Sequence, residues 1–206
     1  MDILLHPTYF PNIAHFVVLL NADNITFETQ DNYQKQTYRN RANIYGANGK
    51  LGLTIPVNFS QKNRQLYRDV RIHNEEKWQI NHWKSLESAY KMSPFFEFYQ
   101  DDLRILFEEK TNFLLDFNLK CFTVVCNCLD INFNFNKTVE FEKPPLNKLD
   151  LRNLVNTKKE VLQNFDSYTQ VFTQKHGFIS NLSILDLLFN EGPNAENYLR
   201  QQTLKL

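Results

Sequence analysis

The first 30 residues combine two predicted strands, a loop and a predicted helix in an order that restricts the fold more than any other part of the chain. "DILL" predicts a short buried strand, and "HPTYFP" predicts a loop after it. Pro11 suits the start of a helix over "NIAHFVVLLNA", because the first helical turn does not need the N–H group that proline lacks. "NITFET" then predicts a second strand. A strand, a loop, a helix and a strand in this order indicate an α/β fold.

The remainder of the chain predicts further strands and then a largely helical second half. Asn48 and Gly49 separate two apolar runs and predict a β-hairpin, because both residues tolerate positive φ. "YRDVRIH", "INFNFN" and "TVEFEK" alternate as strands do, and Asn74 is a suitable N-cap for a helix that continues to "ESAYKM". Two more helices are predicted over "FFEFYQDDLRILFEEK" and "NFLLDFNLKCFTVVCNCLD". We therefore predict a mixed α/β fold in one domain, residues 1–206, with a mixed central sheet of at least four strands.

Several classes of protein are excluded by what the sequence lacks. "FVVLL" is too short for a signal peptide or a membrane span, so we expect a cytoplasmic protein with no membrane span. Cys121, Cys126 and Cys128 are three clustered cysteines without a second pair, which argues against a disulfide framework and a zinc site. We find no Walker loop and no dinucleotide fingerprint, and we identify no metal site and no cofactor.

Positive charge is concentrated in the first third of a chain whose 23 basic and 23 acidic residues cancel. Residues 30–71 contain eight basic and two acidic side chains, which gives a net charge of +6. The rest of the chain therefore has a net charge of −6. One interpretation is a cleft that attracts an anionic ligand. The other is a set of solvated charges that face acidic helices such as "DDLRILFEE". Nucleic acid is an improbable partner for a neutral chain without a recognised binding module.

The segment "YQKQTYRNR", residues 33–41, supplies the candidate ligand contacts. Arg41 is the preferred anion contact, since a guanidinium binds phosphate or carboxylate at two points, and Asn40 suits a polyhydroxylated or amide ligand. The remaining candidates are two cations and a tyrosine that offers a stacking face, namely Lys35, Arg39 and Tyr33. We expect a small anionic ligand such as a nucleotide-linked sugar or an activated carboxylic acid.

Two histidines are candidates for proton transfer. His6 follows the first predicted strand, at the end where open α/β sheets bind ligands, and is a candidate general base or a cap for nearby backbone groups. Tyr9 lies between His6 and the first helix, where it either binds the ligand or packs in the core. His82 falls on the apolar face of its helix with Trp78 and Tyr90, so it is either a core histidine or part of a carbohydrate-binding wall.

The C-terminal segment "KHGFISNLSILD" contains further polar candidates. Asn181 or Ser183 is predicted to cap the following helix, whose free N–H groups favour an anion. His176 and Asp186 flank this cap and are candidate ligand contacts. A Ser183, His176 and Asp186 triad is not supported, because the flanking glycines of a nucleophile elbow are absent.

Several motifs together resemble the WbqC-like protein family, in the form seen in Bacteroidetes. They are "PTYFP", "AD" at residues 22–23, "YQKQTYRNR", "LTIPV", "ESAY", "SPFFEFY" and "YTQVFTQKHGFISNLSILDLLFNEGP". The resemblance runs from residue 3 to about 193, with no recognisable block at 131–165. Many relatives have Gln where this chain has His6, so any role of His6 must be argued for this chain alone.

The resemblance implies a class of function. WbqC-like proteins occur in gene clusters for O-antigen and related polysaccharides, and are proposed to transfer glycine or another small acyl unit to a sugar. We therefore expect a transferase whose acyl donor is activated on another protein. A non-catalytic binding protein for a nucleotide-sugar or glycan intermediate is the alternative. A nucleotidyltransferase that uses His15 is a weaker third possibility, because the spacing to the proline is short by one residue and no glycine precedes the histidine.

Overall fold

The computed structural model describes residues 1–60 and 64–205. It is a mixed α/β protein in which the helices cover the sheets around one aromatic-rich core. The strands are β1 Asp2–Leu5, β2 Asn24–Phe27, β3 Arg41–Gly46, β4 Gly49–Thr54, β5 Val57–Asn58, β6 Arg71–Ile72, β7 Phe135–Lys137 and β8 Leu149–Asp150. The α-helices are α1 Ile13–Leu20, α2 Trp78–Tyr90, α3 Phe96–Glu108, α4 Leu114–Cys128, α5 Thr173–His176, α6 Ile184–Glu191 and α7 Ala195–Gln201. The predicted fold class and helical second half are confirmed.

The central sheet has the strand order β7-β2-β1-β8, and each of its pairings is parallel. The predicted mixed central sheet is thus a parallel sheet, and the antiparallel pairs β3-β4 and β5-β6 lie in separate two-stranded sheets. In chain order, the four central strands are arranged third, second, first, fourth. This order reverses between β1 and β8, and open parallel sheets bind ligands outside the carboxyl ends of the strands at such a reversal.

The start of the chain forms the predicted strand, loop, helix and strand, but the helix begins at Ile13 and Pro11 lies before it. All four residues of β1 pair with β2, and helix α1 connects the two strands. Asn12 caps α1, since its Oδ1 accepts a hydrogen bond from the backbone N–H of His15 at 3.1 Å. Seven of the eight residues of α1 are buried, which indicates that the helix lies inside the molecule and is not an amphipathic surface helix. His6 follows β1 directly and therefore lies at the carboxyl edge of the sheet.

Three predicted elements differ from the structure. "YRDVRIH" forms a 3₁₀ turn, Tyr67–Asp69, before the two residues of β6, because Val70 N–H bonds back to the Tyr67 carbonyl. "TVEFEK" is irregular. Helix α2 begins at Trp78, and Asn74 instead donates its side-chain N–H to the carbonyl of Thr111, so it ties the loop to the segment between α3 and α4.

Candidate functional site

A cleft of about 810 Å³ lies at the carboxyl edge of the parallel sheet, beyond β1 and β8. We call it the sheet-edge cleft. It is lined by residues that follow three of the four central strands and by the loop between β2 and β3: His6, Asp31, Asn32, Gln34, Arg39, Phe141, Lys143, Pro144, Asp150, Arg152, Asn153, Val155 and Asn156. The sheet order explains this convergence, because parallel strands place their carboxyl ends on one edge.

Three charged or titratable side chains meet in the sheet-edge cleft. His6 Nε2 lies 3.0 Å from Asp31 Oδ2, and Arg39 Nη2 lies 3.1 Å from the same oxygen. Arg39 Nη2 also contacts His6 Nε2 directly. Because a guanidinium has only donors, the His6 nitrogen that it contacts accepts the hydrogen bond and carries no proton. Arg39 Nη2 therefore donates to both the imidazole and the carboxylate, and it links the three side chains into one cluster.

The electrostatics of the cluster keep His6 neutral. Burial lowers the pKa of His6 well below its usual value, and the positive charge of Arg39 lowers it further. Burial raises the pKa of Asp31, and Arg39 partly offsets this effect. An anion bound beside Arg39 would cancel part of its positive charge and so raise the pKa of His6. The cluster can thus couple anion binding to the basicity of the imidazole.

Arg39 has hydrogen-bonding capacity that the described residues do not use. Its side chain is the largest of those that are less than 2% exposed. Its Nε and Nη1 atoms are buried and have no partner in the part of the chain that the structure describes. The backbone carbonyl of Arg39 accepts a hydrogen bond of 2.6 Å from Asn118 Nδ2, and the guanidinium lies 5.5 Å from the ring centre of Tyr67. A guanidinium with two nitrogen atoms whose N–H groups have no partner among the described residues is an anion-binding group.

Arg152 forms a second charged cluster that frames the cleft. Its Nε and Nη2 donate to the two oxygens of Asp150 at 2.8 and 2.7 Å, and its Nη1 donates to Glu28 Oε2 at 3.1 Å. Glu28 is fully buried and also accepts from Thr138 Oγ1 at 2.8 Å. The hydrogen bonds from Arg152 lower the pKa of Asp150. Each of the three guanidinium nitrogens of Arg152 already has a partner, so this residue holds the ends of β2 and β8 together.

Sequence reasoning identified His6 and Arg39 in the cleft but did not select Asp31, Glu28 or Arg152. Asp31 follows the second predicted strand, "NITFET", and Glu28 lies within it. In the structure both residues follow β2, whose carboxyl end lies beside that of β1. Arg152 follows "KLDL", which contains β8. The sequence of residues 144–167 is polar and predicts no strand or helix there, so this position gave no signal.

The structure places His82 and Tyr9 in the core, away from the residues that line the sheet-edge cleft. Tyr9 Oη and His82 Nδ1 are hydrogen-bonded at 2.9 Å, and the two side chains are buried. Burial lowers the pKa of His82 to about 4, with a backbone hydrogen bond to Thr54 acting in the opposite direction. Trp78 packs edge-on against the His82 ring at 5.2 Å. This pair joins α2 to the loop after β1.

The other candidates from residues 33–41 are distributed over several environments. Tyr33 and Lys35 line a separate cavity that shares Asn32 and Gln34 with the sheet-edge cleft. Asn40 is buried and donates its side-chain N–H to the carbonyl of Ile55 at 3.0 Å. Arg41 begins β3, and its Nε is buried without a partner among the described residues. Lys62, which we counted in the basic stretch, lies outside the described residues.

His176 and Asp186 have separate surroundings and do not line the cleft. His176 is exposed, and its Nε2 lies 3.0 Å from the carbonyl oxygen of Ala47. Asp186 is fully buried and accepts hydrogen bonds from Tyr90 Oη at 2.8 Å, Tyr168 Oη at 2.6 Å and Gln170 Nε2 at 2.8 Å. Ser183 caps α6, as predicted, by accepting from the N–H of Leu185. Asp186 therefore ties α6 to α2 and to the segment around residue 170.

His15 has no free access to a ligand in the structure. It is 1% exposed, its Nδ1 is hydrogen-bonded to Asn12 Oδ1 at 2.6 Å, and burial lowers its pKa to about 4. Within residues 1–60 and 64–205, no group of three or more His, Cys, Asp or Glu side chains is arranged to hold a metal ion. The same residues contain no helix with both the length and the apolar character needed to cross a bilayer.

Comparisons with known proteins identify relatives of this chain by sequence. The model of the WbqC-like protein family matches residues 6–163 and 156–198. The uncharacterized protein Rv1507c of Mycobacterium tuberculosis (strain ATCC 25618 / H37Rv) is 25% identical over 224 residues, which cover 96% of this chain and 96% of that protein. No solved structure matches this chain.

Proposed function

Since this chain belongs to the WbqC-like protein family, we propose that it is a transferase of surface-polysaccharide assembly that moves a small acyl group, such as glycyl, onto a sugar. The sheet-edge cleft would be its active site. The sequence resemblance suggests the class of reaction, and the arrangement of His6, Asp31 and Arg39 suggests how the cleft carries it out.

One observation carries the proposal: the buried guanidinium of Arg39 has two unused donors and contacts a neutral imidazole at the reversal point of a parallel sheet. An anion-binding group next to a neutral base suits a reaction in which an anionic substrate supplies a nucleophile. A phosphate of the nucleotide-linked acceptor, or a developing oxyanion on the donor, is a suitable partner for Arg39.

The proposed reaction begins when an anionic ligand accepts hydrogen bonds from the guanidinium of Arg39. This releases the lone pair of His6 Nε2 and raises the pKa of the imidazole. Nε2 then accepts the proton of a sugar hydroxyl or amine, while the oxygen or nitrogen attacks the acyl carbon of the activated donor. The bond from the acyl carbon to its carrier breaks, and the carrier leaves with the electron pair and a proton. Asp31, 3.0 Å from Nε2, stabilises the imidazolium between these steps.

The alternative is a protein that binds the nucleotide-linked sugar but does not catalyse a reaction of it. Binding requires Arg39 and the shape of the cleft but no basic His6. The third possibility, nucleotidyl transfer, is favoured by the order of the parallel strands, which is typical of nucleotide-binding sheets. It is disfavoured by His15, which is buried and bonded to Asn12.

Two substitutions separate transfer from binding. His6→Gln retains an oxygen that can accept from Arg39 and an amide that can donate to Asp31, but it removes the base. Arg39→Met removes the anion contact. We expect His6→Gln to retain affinity for nucleoside-diphosphate sugars, measured by calorimetry, and to abolish glycyl transfer from thioester or aminoacyl donors, measured by mass spectrometry of the sugar product.

The matched control is His176→Gln, at an exposed histidine outside the cleft, which should retain both affinity and product. If His6→Gln forms product at the rate of the unchanged protein, His6 is not the base and the proposed mechanism is wrong. If no donor and acceptor pair yields product in the unchanged protein although sugar nucleotides bind, the binding-protein alternative is supported.

A further inference from the structure

A second cavity of about 580 Å³ adjoins the sheet-edge cleft and shares Asn32 and Gln34 with it. Its other lining residues are Tyr33, Lys35, Gln36, Phe59, Arg64 and Lys158. The volume is in the range of small-molecule sites and is too small for a macromolecule. Because the two cavities share part of their wall, one extended ligand can occupy both.

The charge in the second cavity is of one sign. Among the residues that the structure describes, Lys35, Arg64 and Lys158 line it and no acidic side chain does. These three cations form no ion pair with any acid that the structure describes. They come from three separate parts of the chain, which the fold brings together at this cavity. Three unpaired cations around a small opening attract a ligand with more than one negative charge.

Tyr33, which lines the second cavity, carries a buried hydroxyl group. Tyr33 is 4% exposed, and its hydroxyl has no hydrogen-bond partner among the described residues. Burial raises the pKa of Tyr33 to about 12, while the positive charges of Arg39 and Arg41 act in the opposite direction. The hydroxyl is therefore protonated at neutral pH and can donate to an anion.

Phe59 adds an aromatic surface to the same cavity. Its ring packs edge-on against Tyr33, with 5.0 Å between ring centres, and Lys35 Nζ lies 5.3 Å from the Phe59 ring centre. The ring is partly buried against the core, so its position is held from one side. An aromatic face next to cations is suited to a nucleobase beside its phosphates.

We propose that the second cavity binds the nucleoside diphosphate part of the ligand. Lys35, Lys158 and Arg64 hold the diphosphate, Tyr33 donates to it, and Phe59 contacts the base. The sugar linked to the second phosphate then extends past Asn32 and Gln34 toward Arg39 and His6. This inference rests on the proposed function for the assignment of the sugar end, but the diphosphate site stands on the second cavity alone.

The test measures binding of UDP, GDP and inorganic pyrophosphate by calorimetry at one fixed ionic strength. Lys35→Met and Lys158→Met should each weaken all three probes about threefold to tenfold, as expected when one cation is removed from a polyanion site. Phe59→Leu should weaken UDP or GDP and leave pyrophosphate unchanged. Lys84→Met, at an exposed lysine of α2 that lines neither cavity, is the matched control and should leave all three affinities unchanged.

Two results would overturn the inference. One is that none of the three probes binds to the unchanged protein at millimolar concentration. The other is that Lys35→Met and Lys158→Met keep full affinity while Arg39→Met loses it, which would place the diphosphate in the sheet-edge cleft and leave the proposed function standing. Conversely, nucleoside diphosphate binding that depends on Lys35 and Lys158, without any acyl transfer that depends on His6, would support this site and contradict the proposed function.

Discussion

Asp31 accepts from Arg39 Nη2 at 3.1 Å with the same carboxylate oxygen that lies 3.0 Å from Nε2 of His6. The carboxylate thus compensates the charge of the buried guanidinium. It can also accept a hydrogen bond from Nε2 of His6 when the imidazole is protonated. Asp31 is itself held by its own loop, since its Oδ1 accepts from the N–H of Asn32 at 2.7 Å. Its role in the proposed reaction is to position His6 and Arg39.

Asp31→Asn tests this positioning role. The amide oxygen can still accept from Arg39, but the negative charge that stabilises a protonated His6 is lost. We expect transfer to fall about tenfold to a hundredfold through kcat, with a smaller change in KM, as for a weakened general base. The pH profile should also change, because loss of the carboxylate lowers the pKa of His6 further. A change in KM alone, with kcat and the pH profile unchanged, would show that Asp31 acts only in substrate binding.

Arg39→Lys tests whether the planar guanidinium is required for anion binding. Lysine keeps the positive charge but lacks the fork of N–H donors. We expect the affinity for nucleoside-diphosphate sugars to fall about tenfold or more, which corresponds to the loss of a charge-assisted hydrogen bond. Arg104→Lys, on the exposed face of α3, is the control and should bind with unchanged affinity. Equal affinities for Arg39→Lys and the unchanged protein would exclude a two-point contact.

Asp186→Ala tests the assignment of this residue to stability. The substitution leaves the hydroxyls of Tyr90 and Tyr168 and the amide of Gln170 without their shared acceptor. We expect the free energy of unfolding, measured by urea titration, to fall by about 3 kcal/mol. Ligand affinity of the folded fraction should be unchanged, since Asp186 does not line either cavity. If the variant were as stable as the unchanged protein but bound the ligand more weakly, Asp186 would again be a candidate ligand contact.

The three buried histidines predict that the protein loses stability in mild acid. Burial lowers the pKa of His15 and His82 to about 4, and that of His6 well below its usual value. Above the unfolded-state pKa of about 6.5 the full stability is present, because neither state is protonated. As the pH falls below this value, the unfolded chain binds protons that the folded protein excludes, so stability decreases until the folded-state pKa is reached.

His15 and His82 should each cost about 1.5 kcal/mol between pH 6.5 and pH 5, and the lowered pKa of His6 adds to the loss in the same direction. Urea midpoints at both pH values measure the loss. His82→Gln should reduce the pH dependence by this amount, whereas His176→Gln, at an exposed position, should leave it unchanged. An equal pH dependence in the His82→Gln variant and the unchanged protein would contradict a depressed pKa for His82.

The sequence predicted local features where a single physical signal decided them. Ser183, one of the two predicted caps, caps α6 through its side-chain oxygen, and the hairpin predicted at Asn48 and Gly49 forms between β3 and β4. The prediction failed at Asn74, where the cap residue is suitable but its amide donates to Thr111 across the fold. Local preference was overruled there by a contact between distant segments.

The amino-acid sequence by itself determined the α/β class, the position of His6 at the end of the first strand, and membership of the family. Tertiary structure alone decided which cations line the sheet-edge cleft. Arg39, and not Arg41, has the buried unused donors in the cleft, and Arg152 joins Glu28 from far along the chain. The reason is physical: periodicity and capping act over a few residues, whereas the side chains that meet at a sheet edge depend on the order of strands that are distant in sequence.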